Sequence, residues 1–266
     1  MTTLAYAARD SRTMLRRNLR HMWRYPTLTL MVAGLPVVFL LLFVYVFGGT
    51  LGAGLGVPGG GRAAYVEYVT PGIMLMAVAA GSAGTAISVA TDMTEGIIAR
   101  FRTMAIYRPS VLAGHVLGSM IQTMLSVAAV FGVALLIGFR PNATAVEWVA
   151  TVGVLLAITF AITWLSVAFG LVTKSVEAAS NLPTPLVFLP FLGSGFVPTD
   201  SMPTALRWFA EYQPFTPVIE TLRGLLLGTA IGDSAALAVA WCVAITVASY
   251  LWARRAFNRD PAPVVS

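Results

Sequence analysis

Lysine occurs once in the 266-residue sequence, as Lys174, cysteine once, as Cys242, and histidine twice, as His21 and His115. Each scarcity closes off a chemistry. A Walker A loop needs a lysine directly after glycine, because backbone amides and the ammonium together hold the phosphates. Lys174 follows Thr173, so ATP that powers this protein must bind another polypeptide. A lone cysteine leaves no disulfide and no thiolate metal cluster. The two histidines are separated by a hydrophobic run, with no companion cysteine or carboxylate cluster nearby. Metal ligands come in threes or fours, so no metal site is expected, and His115 reads as a satisfied polar group at a membrane boundary. Ser, Asp and His are too sparse in plausible proximity to nominate a hydrolytic triad. No cofactor is expected on this chain.

Charge is scarce as well. Charged residues make up 11% of the sequence and hydrophobic ones 58%, against about 25% charged in an average soluble protein. A mean hydropathy of +0.81 has nowhere to hide in a globule of this size, so lipid is the solvent. The formal charge of +6 reads as an orientation signal and not as a nucleic-acid surface. The Arg-rich start runs into a full-length apolar segment without a small-residue cleavage pattern, so no cleavable signal peptide is expected. Gly54, Gly56 and Gly59 have the spacing of a dinucleotide fingerprint, but no strand precedes them, and a flexible external loop is expected.

A hydrocarbon core about 30 Å thick needs about 20 apolar helical residues. Thr27–Phe47, Tyr68–Ala90, Val111–Gly138, Val149–Thr173, Leu182–Val197 and Ser234–Ala253 meet or approach that requirement. The fold class is therefore all-α: a polytopic membrane protein with six transmembrane helices. The fifth segment is short and carries Pro183, Pro185 and Pro190, which predicts a kink or re-entrant structure buried by protein. With the N-terminus inside, thirteen basic residues fall in the inner segments and four (Arg62, Arg140, Arg207 and Arg223) in the outer ones, together all 17. That bias places both termini in the cytoplasm. No span carries a charge near its middle, which argues against an ion-coupled carrier.

Three stretches outside the spans carry pattern. In residues 1–26, Leu4, Ala8, Ser11, Leu15, Leu19 and Met22 share one helical stripe, with Trp23 near its end. Arg9, Arg12, Arg16, Arg20 and Arg24 form a ridge beside it. The pattern describes an amphipathic helix in the cytoplasmic interface; a plain basic retention signal is the alternative. In the inner loop 91–110, a short helix over Glu95, Gly96, Ile97, Ile98, Arg100, Phe101, Arg102 and Met104 presents an apolar patch. Arg100, Arg102 and Arg108 rim it. An apolar centre with a charged rim suits a cytosolic partner and equally the lipid surface. The outer stretch 198–233 reads as two short helices, about Thr204–Tyr212 and Pro217–Leu227. Pro214 and Pro217 break the run, and Arg207, Glu211, Glu220 and Arg223 are too costly facing lipid at mid-depth. Glu220 and Arg223, three apart, share a face. Gly114 with Gly118, and Ala80 with Gly84, mark close helix packing.

The run Glu95-Gly96, Arg100-Phe101-Arg102, Ile106, Arg108 and Leu112-Ala113-Gly114 resembles the inner loop of ABC type-2 permeases, in particular daunorubicin-resistance-like drug and lipid exporters. Phe191–Pro198, Met202-Pro203, Leu206-Arg207, Gln213-Pro214 and Glu220–Gly228 are similar to that family's region between spans five and six. The family usually has proline where Ala105 stands, and often asparagine where Gln213 stands. The resemblance implies a permease that pairs with a second permease subunit, as homodimer or heterodimer, and with two copies of a cytosolic ABC ATPase that carries ATP and Mg. It implies that Glu95–Met104 docks on the ATPase, helped by the N-terminal helix, in the cytoplasmic membrane. It also implies that Pro198, Pro203, Arg207, Pro214, Glu220 and Arg223 belong to short outer helices that partly re-enter the membrane. The expected organisation is thus 1–26 interface helix, 27–253 transmembrane domain and 254–266 cytoplasmic tail. A secondary carrier or channel for an apolar solute is the alternative; it calls for an inverted repeat or a mid-membrane charge, and neither is found.

The purified chain by itself is expected to hydrolyse no ATP. Steady-state phosphate release from a contaminant-free preparation checks this, and sustained turnover there defeats the division of labour between two polypeptides.

Overall fold

The computed structural model describes residues 26–56, 60–95 and 109–258. The first helix, α1 (Pro26–Leu42), passes into a π-turn (Phe43–Phe47) and then α2 (Gly48–Ala53). Together they provide an apolar run, Val32–Ala53. Its chain direction reverses at Gly61, whose φ of 143° is open only to glycine. The next helix, α3 (Arg62–Thr94), is 33 residues long, about 50 Å at 1.5 Å per residue. It is followed by α4 (Pro109–Leu136) and α5 (Ala145–Val172). Thr144 starts α5 with a capping box: its hydroxyl accepts from the Glu147 amide, and the Glu147 carboxylate accepts from the Thr144 amide.

After α5 the chain does not make another long helix. It forms α6 (Val176–Asn181), α7 (Thr184–Phe188), a series of turns to Phe196 and a 3₁₀ turn at Thr199–Ser201. Two further helices, α8 (Thr204–Tyr212) and α9 (Phe215–Leu227), precede the last one, α10 (Ser234–Asn258). Gly228, at φ 73°, ends α9 in the left-handed conformation.

Among the described residues, five helices are long and apolar enough to cross a membrane: Val32–Ala53, Arg62–Thr94, Leu112–Leu136, Ala145–Val172 and Ser234–Phe257. The sequence predicts a sixth at Leu182–Val197, and there the structure differs. Pro183 is the N-cap of α7, Pro185 lies within its first turn, and Pro190 follows it. Each proline removes an amide donor and crowds the preceding turn. Hydropathy registers the apolar side chains but not the interrupted backbone.

The organising element is α3. It packs against α1, α2, α4, α5, α6, α7 and α9, and its side chains from Ile73 to Ala79 are almost entirely enclosed. By contrast α1, α4 and α10 leave Leu35, Val38, Leu125, Val239 and Val243 exposed; their outer faces suit lipid, which has no quarrel with apolar side chains. The turn after α7 lies directly on α3, because a Cβ at Gly72 would collide with the Gly195 backbone. Gly84, paired with Ala80 in the sequence reading, faces open space instead; the tight contact is one turn away, where a Cβ at Gly81 would collide with Thr123.

The long helices alternate in direction as far as α5, and α10 runs parallel to α5, with Trp164 beside Tyr250 and Phe169 beside Trp252. At one end of the bundle the Tyr65 hydroxyl donates to the Phe196 carbonyl at 3.1 Å, and the Asn142 amide donates to the Leu226 carbonyl at 2.9 Å. At the other end Val89, Leu112, Val116, Val167, Leu171, Ala253 and Phe257 form a separate apolar cluster. In the predicted orientation the first end is outer and the second inner.

Single cysteines in a Cys242→Ser background check that orientation. Asp233→Cys, at an exposed position, is expected to react with an impermeant maleimide from outside, and Asn258→Cys only once the inner face is opened. The reverse labelling pattern overturns the crossing count after α5.

Candidate functional site

Two polar clusters sit at opposite ends of α3. At the outer end the centre is Arg223, near the end of α9 and only 8% exposed. Its Nη1 donates to Glu220 Oε1 at 2.7 Å, one helical turn back. Its Nη2 donates to the Tyr68 carbonyl at 3.1 Å and to the Ser194 carbonyl at 2.8 Å. The guanidinium also lies over the Tyr68 ring, 3.8 Å from its centroid, a cation–π geometry. One side chain therefore ties together α3, the turn after α7 and α9. Such a buried cation is tolerated only because the carboxylate and carbonyls surround it. Arg223 Nε and Ser194 Oγ, both buried, have no partner among the described residues.

The turn from α8 into α9 is held in the same way. Gln213 is buried; its Nε2 donates to the Leu189 carbonyl and to Thr216 Oγ1, both at 3.1 Å, while its Oε1 accepts from the Phe215 amide at 3.3 Å. Thr216 Oγ1 in turn accepts from the Ser194 amide at 3.3 Å. The carbonyl of Leu189 and the amide of Ser194 lie in the stretch where helix has failed, and side chains of the α8–α9 turn and of α9 satisfy them.

The outer residues singled out from sequence divide into buried and exposed sets. Pro198 precedes the 3₁₀ turn, Pro203 caps α8 and Pro214 caps α9. Arg207 pairs with Asp200 at 2.6 Å and Glu211 at 2.7 Å at an exposed position. The bond to Glu211, with Asp200 beside it, holds the Arg207 guanidinium above its ordinary pKa. Screened by water, those pairs add little stability. Glu220 and Arg223 meet as their spacing predicts. Tyr68, Ser194 and the stapling role of Gln213 were not legible, because they depend on where an irregular turn falls against α3.

At the inner end His115, on α4, faces α3. Its Nε2 is 3.0 Å from Asp92 Oδ2 and its Nδ1 is 3.4 Å from Ser88 Oγ. The sequence reading of His115 as a satisfied polar group holds; its partners were missed. The signal was available, since Ser88 and Asp92 are four apart on α3 and lie close to where that helix hands over to α4. No group of three or more metal-ligating residues occurs among the described residues.

Glu95 caps the end of α3 and is exposed, its amide donating to the Thr91 carbonyl at 2.9 Å. Gly96, Ile97, Ile98, Arg100, Phe101, Arg102, Met104 and Arg108 lie outside the described residues. So do Arg9, Arg12, Leu15, Arg16, Leu19, Arg20 and Trp23 of the expected interface helix.

Removing Arg223 leaves the buried Ser194 carbonyl, the part-buried Tyr68 carbonyl and a carboxylate without this donor. Arg223→Met is expected to cost about 3 kcal/mol, in line with breaking a buried pair. Glu220→Gln, at a partly exposed position, is expected to cost no more than about 1 kcal/mol. Unfolding midpoints of the two variants in lipid nanodiscs compare them; equal losses would mean that the ion pair, and not the carbonyl contacts, holds α9 in place.

Comparison with known proteins follows the same outline. Residues 9–227 match the model of the family described as ABC-2 type transporter. The chain is 28% identical over 238 residues to the daunorubicin resistance ABC transporter permease protein DrrB1 of Streptomyces coeruleorubidus, covering 86% of this chain and 82% of that one. It is 24% identical over 179 residues to the "Probable doxorubicin resistance ABC transporter permease protein DrrC" of Mycobacterium tuberculosis, covering 67% and 65%. The matched region takes in four of the five long helices, both polar clusters and the inner loop between them, and the chain belongs to the ABC-2 type transporter family.

Proposed function

We propose that this chain is a permease subunit of an ATP-binding-cassette exporter that moves a hydrophobic drug-like or lipid-like molecule across the cytoplasmic membrane. The observation that carries the reading is family membership in a chain whose single lysine cannot serve a Walker loop. The engine is a separate cytosolic ATPase, in two copies with ATP and Mg, joined to this permease and a second one. The names of the relatives, with their daunorubicin and doxorubicin resistance, make those two compounds the first to test.

The geometry supports six crossings with both termini inside. Along the broken stretch, Ala179 packs with Ala86 and Ala90, while the Phe196 carbonyl meets Tyr65. Tyr65 and Ala86 are 21 residues apart on α3, about 32 Å along a helix, enough to traverse a hydrocarbon core of about 30 Å. Residues 176–196 thus run the depth of a bilayer alongside α3 without being one helix. The buried α9, reached through the Gln213–Pro214 turn, supports reading α8 and α9 as re-entrant outer helices.

Export then follows a simple mechanical order. The inner loop, Glu95 to Arg108, sits in a groove of the ATPase with Phe101 as its apolar anchor, and the N-terminal helix steadies it. ATP-driven closure displaces the loop and with it the inner end of α3. At the outer end α3 is tied through Tyr68 to the broken stretch and α9, so its movement reaches the outer surface. Substrate leaves toward the outside or into the outer leaflet.

Everted vesicles containing the chain and its ATPase are expected to accumulate doxorubicin when given ATP, and vesicles with either subunit alone are not. Within that complex, Phe101→Asp is expected to leave the permease in the membrane but weaken ATPase association by about 2 kcal/mol. Arg62→Lys, at the opposite end, serves as the control. Co-purification of Phe101→Asp at the wild-type level overturns the docking assignment.

A further inference from the structure

The inner cluster has no counterpart among the roles assigned so far. His115 is 3% exposed and Asp92 8%, so each is too enclosed to be left without a partner cheaply. His115 Nε2 and the Asp92 carboxylate face each other at hydrogen-bond distance, 3.0 Å. Nδ1 of the same ring meets the Ser88 hydroxyl at 3.4 Å. Ser88 and Asp92 lie four apart on one face of α3. One imidazole therefore spans a full turn of α3 and fixes both the height and the rotation of α4 against it. Deeper in the bundle, Thr123 fills the space that any side chain at Gly81 would need, which gives the same two helices a second fixed contact.

The position of this contact gives it a mechanical meaning. Helix α3 ends at Thr94 and α4 begins at Pro109, so residues 95–108 form the loop whose two stems His115 joins. A force on a loop whose stems are free to splay is spent in spreading them. A force on a loop whose stems are joined at the base moves both helices together. We propose that His115 is a positioning residue for energy coupling: with Asp92 and Ser88 it locks α3 and α4 into one lever, so that displacement of the loop is delivered along α3. The proposal rests on the reading that this loop meets the ATPase.

The test uses the permease–ATPase complex in nanodiscs and compares basal with doxorubicin-stimulated ATP hydrolysis. His115→Leu fills the space but removes both hydrogen bonds. It is expected to keep wild-type ATPase co-purification and basal turnover while the stimulated fraction falls about fivefold or more, the size of an ordinary coupling between two sites. His115→Gln, which places an amide donor where Nε2 stands, is expected to recover at least half of the stimulation. Thr163→Val, a buried position whose hydroxyl bonds only to its own helix at Thr159, is the control and is expected to change nothing. Undiminished stimulation in His115→Leu overturns the proposal. So does a parallel fall of assembly, basal turnover and stimulation, which makes His115 an ordinary packing residue. If His115→Leu does not reach the membrane, the exchanged pair His115→Asp with Asp92→His carries the test: recovered stimulation supports the lever, and normal assembly without stimulation overturns it. A wild-type chain that pairs with no ATPase overturns the functional reading and the lever with it, whereas a working wild type with an indifferent His115→Leu removes the lever alone.

Discussion

Hydrocarbon offers no partner to a backbone amide or carbonyl, and every irregular residue at membrane depth must find one inside the protein. That constraint governs the arrangement seen here. Three prolines between Asn181 and Phe191 prevent a continuous helix, and the freed polar groups have to be met by neighbours. Gln213 meets the Leu189 carbonyl, Thr216 the Ser194 amide, Arg223 the Ser194 carbonyl and Tyr65 the Phe196 carbonyl. The donors and acceptors come from α3, from α9 and from the turn that leads into α9, so all three must lie against the broken stretch. The position of α9 inside the bundle is thus a consequence of the prolines, not an independent feature.

The same reasoning explains why α3 is central. A helix that supports an irregular neighbour must bring its backbone close, which is why glycines face each other at Gly72 and Gly195. It must also carry the polar contacts at both ends, through Tyr65 and Tyr68 at one and Ser88 and Asp92 at the other. Its middle, from Ile73 to Ala79, is correspondingly sealed and apolar.

Much of this was legible in the sequence, and the reasons differ by element. Continuous apolar runs mark the five long helices, whose spans agree with the structure to within a few residues at most ends. The break between α8 and α9 was legible because proline acts locally: Pro214 and Pro217 forbid a single helix whatever surrounds them. The Glu220–Arg223 pair was legible because helical spacing alone brings the two side chains together. The partners of Arg223 on α3 and on the turn were not, since they lie 155 and 29 residues away and no periodicity connects them. Leu182–Val197 shows the limit of hydropathy, which counts apolar side chains without asking whether the backbone is one helix. Gln213 is instructive in another way: its length lets one side chain reach both the Leu189 carbonyl and the Phe215 amide.

The π-turn at Phe43–Phe47 bears on how freely the first span can vary in length. It lies between Phe39, which meets Phe191 edge-on at 5.5 Å, and the glycines of α2 that abut the start of α3. Each residue of an α-helix turns the chain by about 100°, so the wider turn sets the angle between these two contacts. Loss of a single residue from that turn shortens the helix by only about 1.5 Å, a change a bilayer absorbs without difficulty. The rotation is what the protein would not absorb: the phenylalanine face would swing away from the broken stretch, or Gly52 away from Gly61. For this segment, evolution is freer to exchange side chains than to insert or delete them.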